Sequence, residues 1–114
     1  MESGLARLAS GIWVAAYLRR LDLAGIPAFV TAHGDEGAGA VLVKLALMDG
    51  TAKLYERGFD LETGAQVWRL RATGAERDID AALARDRVRD RDLWVIEVED
   101  RHGRSLLEED GFDG

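Results

Sequence analysis

Residues 40–59 read AVLVKLALMDGTAKLYERGF, and how they pair decides the fold. Two β-patterned runs, Ala40 to Met48 and Thr51 to Phe59, flank Asp49-Gly50. Asp-Gly between such runs is a strong hairpin signal, because a two-residue type I′ turn needs positive φ at both central positions. With Asp49 and Gly50 as the loop, Met48 pairs with Thr51, and the register sorts the side chains by face. Val41, Val43, Leu45 and Leu47 then share a face with Ala52, Leu54 and Glu56. The other face collects Leu42, Lys44, Ala46 and Met48 with Lys53, Tyr55 and Arg57.

Upstream of the hairpin, Ala28 to Ala32 reads as a buried strand, and His33 to Gly39 as a polar, glycine-rich loop. Residues 11–24 predict a helix, since Trp13, Val14, Tyr17, Leu18 and Leu21 recur at three- and four-residue spacing. Ser10 can cap it. Gly25 suits a left-handed stop, Ile26 can fold back on Leu21, and Pro27 prevents continuation. Leu5 to Leu8 fits either a short strand or an extra helical turn.

Downstream, Asp60 to Gly64 is a turn and Ala65 to Ala72 a fourth strand. Thr73-Gly74-Ala75-Glu76 has the capping-box pattern and opens a helix to about Arg89, with Ile79, Ala82 and Leu83 on its apolar side. Leu93 to Glu99 is a further β run. Asp100 to Gly103 turns, and Arg104 to Leu107 pairs back as a last strand. The order α-β-β-β-β-α-β-β predicts an α+β, two-layer domain: a mostly antiparallel sheet, a β-meander, with both helices on one face. Residues 1–107 are read as a single domain and residues 108–114 as an acidic, flexible tail.

The chain has 114 residues, 47% of them apolar, which suits one domain with a core of its own. It has no cysteine, which excludes a disulfide scaffold, a thiolate metal site and a cysteine nucleophile. The early apolar run Ile12 to Leu18 is stopped by Arg19 and Arg20, far short of the ~20 residues that span a bilayer. No signal-peptide pattern follows, so no membrane contact and a cytoplasmic location are expected. The formal charge of −6 argues against a whole-surface nucleic-acid binder. Most of that charge sits in residues 97–114, where seven acids face two arginines, a net of −5, leaving −1 for the first 96 residues.

Trp68 and Leu70 alternate with Arg69 and Arg71 in the fourth strand. If both apolar residues point to the core, the arginines join the second hairpin face. That face then carries Lys44, Lys53, Arg57, Arg69 and Arg71 around Tyr55. Charge for phosphates beside an aromatic for bases suits single-stranded nucleic acid. It equally suits an anionic small ligand or an acidic protein partner. The plainer reading is a solvated strand face whose long side chains cover apolar surface, with Glu97 and Glu99 to neutralise it.

Other constellations are weaker. Gly34-Asp35-Glu36-Gly37-Ala38-Gly39 precedes the strand of Lys44, as in some phosphate loops, but the Walker pattern is absent and both acids repel phosphate. Thr31, His33, Asp35 and Glu36 offer a metal one imidazole and two carboxylates. Asp100, His102 and Ser105 have the letters of a hydrolase triad but lie within one polar turn, without a nucleophile elbow. The alternating charges from Arg85 to Asp92 read as a solvated helix end. Trp13, Trp68 and Trp94 read as core or interface anchors. The leading expectation is a non-catalytic binding or accessory domain, homodimeric, with no cofactor and no metal. The first alternative is a nucleic-acid- or nucleotide-binding regulator using the basic sheet face. The second is a small hydrolase or metal-dependent enzyme, for which no convergent set of titratable groups is evident.

Several runs resemble the bacterial domain-of-unknown-function family 1491. They are Arg7 to Val14, Ala16 to Arg20, Gly25 to Val30, Gly39 to Leu45, Asp92 to Arg101, and Gly103-Arg104. Together they span about residues 5–107. The family comprises short proteobacterial proteins with no established activity, cofactor or catalytic residues. The resemblance implies one compact bacterial cytoplasmic domain and carries over no site.

Overall fold

The computed structural model describes residues 8–108, with Phe59 described by its backbone alone. In chain order the elements are α1 (Ser10–Leu23), β1 (Ala28–Ala32), β2 (Val41–Ala46), β3 (Thr51–Phe59), β4 (Gln66–Ala75), α2 (Glu76–Arg89) and β5 (Trp94–Glu99). The α+β class and the order from first helix to fifth strand follow the sequence reading. The five strands lie in the order β1-β5-β2-β3-β4. The neighbouring pairs are antiparallel except β2 with β5, which is parallel, so the sheet is mixed. The parallel pair arises because β5 follows α2 and inserts between β1 and β2 instead of extending an edge.

That insertion makes β2 central, and all six of its residues are buried. Its two faces meet different helices. Val41, Val43 and Leu45, with Trp94, Ile96 and Val98 of β5, pack against Trp13, Val14, Tyr17 and Leu21 of α1. Leu42, Leu54 and Val95 pack against Ile79 and Leu83 of α2. The helices therefore flank the sheet, and the expected placement of both on one face is corrected. Burial on both faces suits strands that read as nearly continuous apolar runs, as β2 and β5 do.

Several local expectations also change. Ser10 lies inside α1, and its hydroxyl donates to Gly39 O at 2.6 Å. Thr73 and Gly74 belong to β4, which runs straight into α2 without a side-chain cap. Arg104 to Leu107 is not a strand. The segment is still anchored: Tyr17 Oη donates to Ser105 O at 2.8 Å, and Leu107 is buried in the α1 cluster. β1 is an edge strand whose middle residues are exposed, not a buried one. Of Leu5 to Leu8 only Leu8 is described, in neither helix nor strand, and residues 109–114 of the acidic tail lie outside the described residues.

Candidate functional site

The hairpin loop holds three residues, not two. Leu47 N donates to Thr51 O at 3.0 Å, and the ladder then sets Ala46 opposite Ala52, Lys44 opposite Leu54 and Leu42 opposite Glu56. Met48 and Gly50 both take positive φ, at 65° and 90°. Asp49 Oδ1 braces the turn by accepting from Thr51 N at 2.9 Å and Thr51 Oγ1 at 2.6 Å. Relative to a two-residue loop, β3 is displaced by one position, which exchanges its faces.

The six residues expected on one basic face are consequently divided. Lys53, Tyr55 and Arg57 share the α1 side with Val41, Val43 and Leu45. Lys44 lies on the α2 side with Leu54. Arg69 stands opposite Glu56 on that same side. Arg71 sits at a bulge in β4, where it ion-pairs with Asp86 of α2 and lies 4.0 Å from Glu56.

Lys44 is only 3% exposed. Its Nζ lies 2.7 Å from Glu76 Oε2, 2.7 Å from Asp80 Oδ1 and 3.4 Å from Glu97 Oε1. Burial alone pushes its pKa down, but these carboxylates outweigh burial and hold it above the usual lysine range. Lys44 thus joins α2 to β2 and β5 inside the fold rather than offering a charge to a ligand.

Arg57 lies on the α1 side of the sheet. It is half-buried on the wall of a groove of about 630 Å³, where the N-terminal end of α1 meets residues 37–42 and the end of β3. Its Cζ lies 5.3 Å from the Trp13 ring and 5.8 Å from the Trp68 ring. The two indoles are themselves 5.3 Å apart. Arg57 Nη1 also reaches Gln66 Oε1 at 3.5 Å. Two aromatic rings and an amide thus position the guanidinium. Glu56 also lines the groove, its carboxylate 4.0 Å from Arg71.

The opposite wall is the glycine-rich loop, and its backbone is already committed. Asp35 Oδ2 accepts from Gly37 N at 3.1 Å and Ala38 N at 2.9 Å. Gly37 O and Glu36 O accept from Ser10 N and Gly11 N, docking the loop on α1. A Cβ at Gly39 would collide with Asp92 O, so glycine there allows close approach to the start of β5. The loop amides that a phosphate would need are therefore turned onto Asp35.

The remaining constellations are also absorbed by local contacts. His33 Nε2 pairs with Glu36 Oε2 at 2.9 Å on the surface, and Thr31 Oγ1 donates to Val95 O at 3.2 Å. Among the described residues no group of three His, Asp or Glu side chains could hold a metal ion. Asp100 accepts both the backbone N–H and the guanidinium of Arg104. Those bonds hold its carboxyl down at about 2. Ser105 Oγ accepts from Leu107 N at 3.2 Å, and among the described residues it makes no hydrogen bond to His102. No described helix is long and apolar enough to cross a membrane.

A family profile described as a protein of unknown function, DUF1491, matches residues 8–108. The chain belongs to the DUF1491 family. A crystal structure of a DUF1491 family protein from Caulobacter crescentus CB15 is similar at 42% identity and a TM-score of 0.82, covering 90% of this chain and 97% of that one. An NMR structure of a DUF1491 family protein from the same organism is 42% identical with a TM-score of 0.76, covering 90% and 94%. A solution structure of an A. tumefaciens protein is 36% identical with a TM-score of 0.66, covering 82% and 86%. No curated protein matches the chain.

The groove's composition was only partly visible in the sequence of this DUF1491 protein. Arg57 was a candidate on charge. Trp13 and Trp68 sit in apolar patterns that mark them as anchors, and their role in clamping Arg57 depends on packing between α1 and β4. Gln66 gave no signal, because a lone glutamine at a strand start is ordinary.

Proposed function

We propose that this DUF1491 protein is a non-catalytic binding domain whose ligand places an anionic group on Arg57 in the groove at the N-terminal end of α1. One observation carries the reading: a half-buried arginine, clamped by Trp13 and Trp68, lines a groove of about 630 Å³. A preorganised guanidinium loses little freedom on binding a carboxylate or phosphate, so more of the interaction remains as affinity. The extended nucleic-acid surface has less support, because Lys44, Arg69 and Arg71 lie on the other side of the sheet from Lys53, Tyr55 and Arg57.

The test is an amide-shift titration of the labelled protein with inorganic phosphate, mononucleotides, short dicarboxylates and a single-stranded RNA oligomer. At least one small anion should shift signals confined to residues 37–42, 56–58 and 66. Arg57→Gln should then weaken binding about tenfold or more, while Arg69→Gln leaves it unchanged. Shifts that avoid the groove, or a binding constant indifferent to Arg57→Gln, would refute the reading.

A further inference from the structure

The two edges of the sheet differ in how they are guarded. β1 pairs only with β5, and β4 only with β3, among the described residues. Natural edge strands are commonly protected by charge, especially lysine, or by proline within the strand. β4 carries Arg69 and Arg71. β1 reads AFVTA, and no Asp, Glu, Lys or Arg occurs from Gly25 to Gly34. Its apolar residues are on display: Phe29 is 52% exposed and Val30 38%. They point to opposite faces, since Phe29 stands opposite Glu97 on the Lys44 side and Val30 opposite Ile96 on the α1 side.

We infer that β1 is the seam of a homodimer, pairing antiparallel with the same strand of a second copy. A two-fold axis sets a strand against its own sequence reversed. At β4 such pairing would bring arginine near arginine, which is unfavourable. At β1 it brings together no like charges. The ladder to β5 is regular from Ala28 to Val30 and shifts before Ala32. Centring the axis on Phe29 uses that regular stretch. Phe29 then meets Phe29 of the partner subunit, and Ala28 meets Val30 of the partner subunit. An aromatic cross-strand pair is among the more favourable contacts a short ladder can make.

So short a seam buries less than a standard interface of roughly 1,600 Å², so the dimer dissociates in the micromolar range or above. Each copy carries −6, so the copies repel and added salt tightens the association. An interface built on ion pairs would respond in the opposite sense.

Sedimentation of the full chain from micromolar to near-millimolar concentration tests the inference. The expected mass rises toward two subunits with concentration, and rises further at high salt. Phe29→Lys should weaken association about tenfold or more with the amide spectrum still dispersed, and Leu70→Lys on β4 should not. A one-subunit mass throughout overturns the inference, including the case where β1 instead receives an extended peptide from another protein. So does a dimer that ignores Phe29→Lys or dissolves with Leu70→Lys. If Phe29→Lys fails to fold, unmodified mixed-label samples decide. Intermolecular contacts between Ala28 and Val30 support the seam, and a dimer without them overturns it.

Discussion

Lys44 shows how one residue can be misread by its type and explained by its neighbours. A lysine in a strand ordinarily marks the solvent face. Here every position of β2 is buried, and the ammonium is enclosed by Glu76, Asp80 and Glu97. Desolvating a charge is costly, and the cost is met only while its partners remain. Lys44→Met therefore should not behave as an apolar improvement. It removes the cation and leaves three carboxylates near one another; because Glu76, Asp80 and Glu97 are 34%, 55% and 23% exposed, solvent screens them and the loss in urea unfolding is about 1–3 kcal/mol. Adding Asp80→Asn should restore part of that loss, because the two substitutions act on one cluster. Additive losses would show that the carboxylates do not depend on Lys44.

At the scale of elements, the hairpin loop decides which residues of β3 the core receives. Ala52 and Leu54 are fully buried on the α2 side, while Lys53, Tyr55 and Arg57 face the α1 side. Deleting Met48 leaves Asp49-Gly50 as a two-residue turn with Leu47 still opposite Thr51, so the register and both faces of β3 are kept. The deletion variant should therefore keep a dispersed amide spectrum, with urea stability changed by no more than about 1–2 kcal/mol. A collapsed spectrum would mean that the fold depends on the three-residue loop itself. The same contrast separates what was legible in the sequence from what was not. The end of α1 was legible because it is local: Ile26 N folds back onto Leu21 O at 2.9 Å within the Gly25-Ile26-Pro27 stop. Loop length was not, because Asp-Gly fits two- and three-residue turns, and the left-handed Met48 carries no glycine to announce itself. β2 could not correct the error, since a strand buried on both faces has no alternation to fix its register. Lys44 seemed to supply one, but its carboxylates come from α2 and β5, far along the chain. The Arg57 clamp was hidden for the same reason, because its rings come from α1 and β4.

For the whole molecule, the acid side of the stability curve follows from a carboxylate at the end of the sheet. Asp100 is 7% exposed and fastens residues 100–104 beside β5. The Arg104 guanidinium, its backbone N–H and the nearby His102 outweigh burial and hold the Asp100 carboxyl down at about 2, against an ordinary 3.8. Arg71 lowers Asp86 in the same direction. A carboxyl lowered in the folded chain stabilises it above the unfolded pKa, and that contribution fades as pH falls through the folded one. At the alkaline end, Tyr17 is held above its ordinary range, mainly by burial, and Lys44 by its carboxylates. Both retain protons that the unfolded chain gives up, so stability also declines above about pH 10. The result is a broad plateau between those limits. Arg104 is half exposed, so solvent screening reduces the Asp100 contribution to about 1–2 kcal/mol. Asp100→Asn should lower the unfolding free energy in urea at neutral pH by that amount. Its curve should converge on that of the unmodified chain as pH falls from about 4 toward 2, where the native carboxyl is protonated too. Parallel curves across that window would show that Asp100 contributes through packing and hydrogen bonding alone.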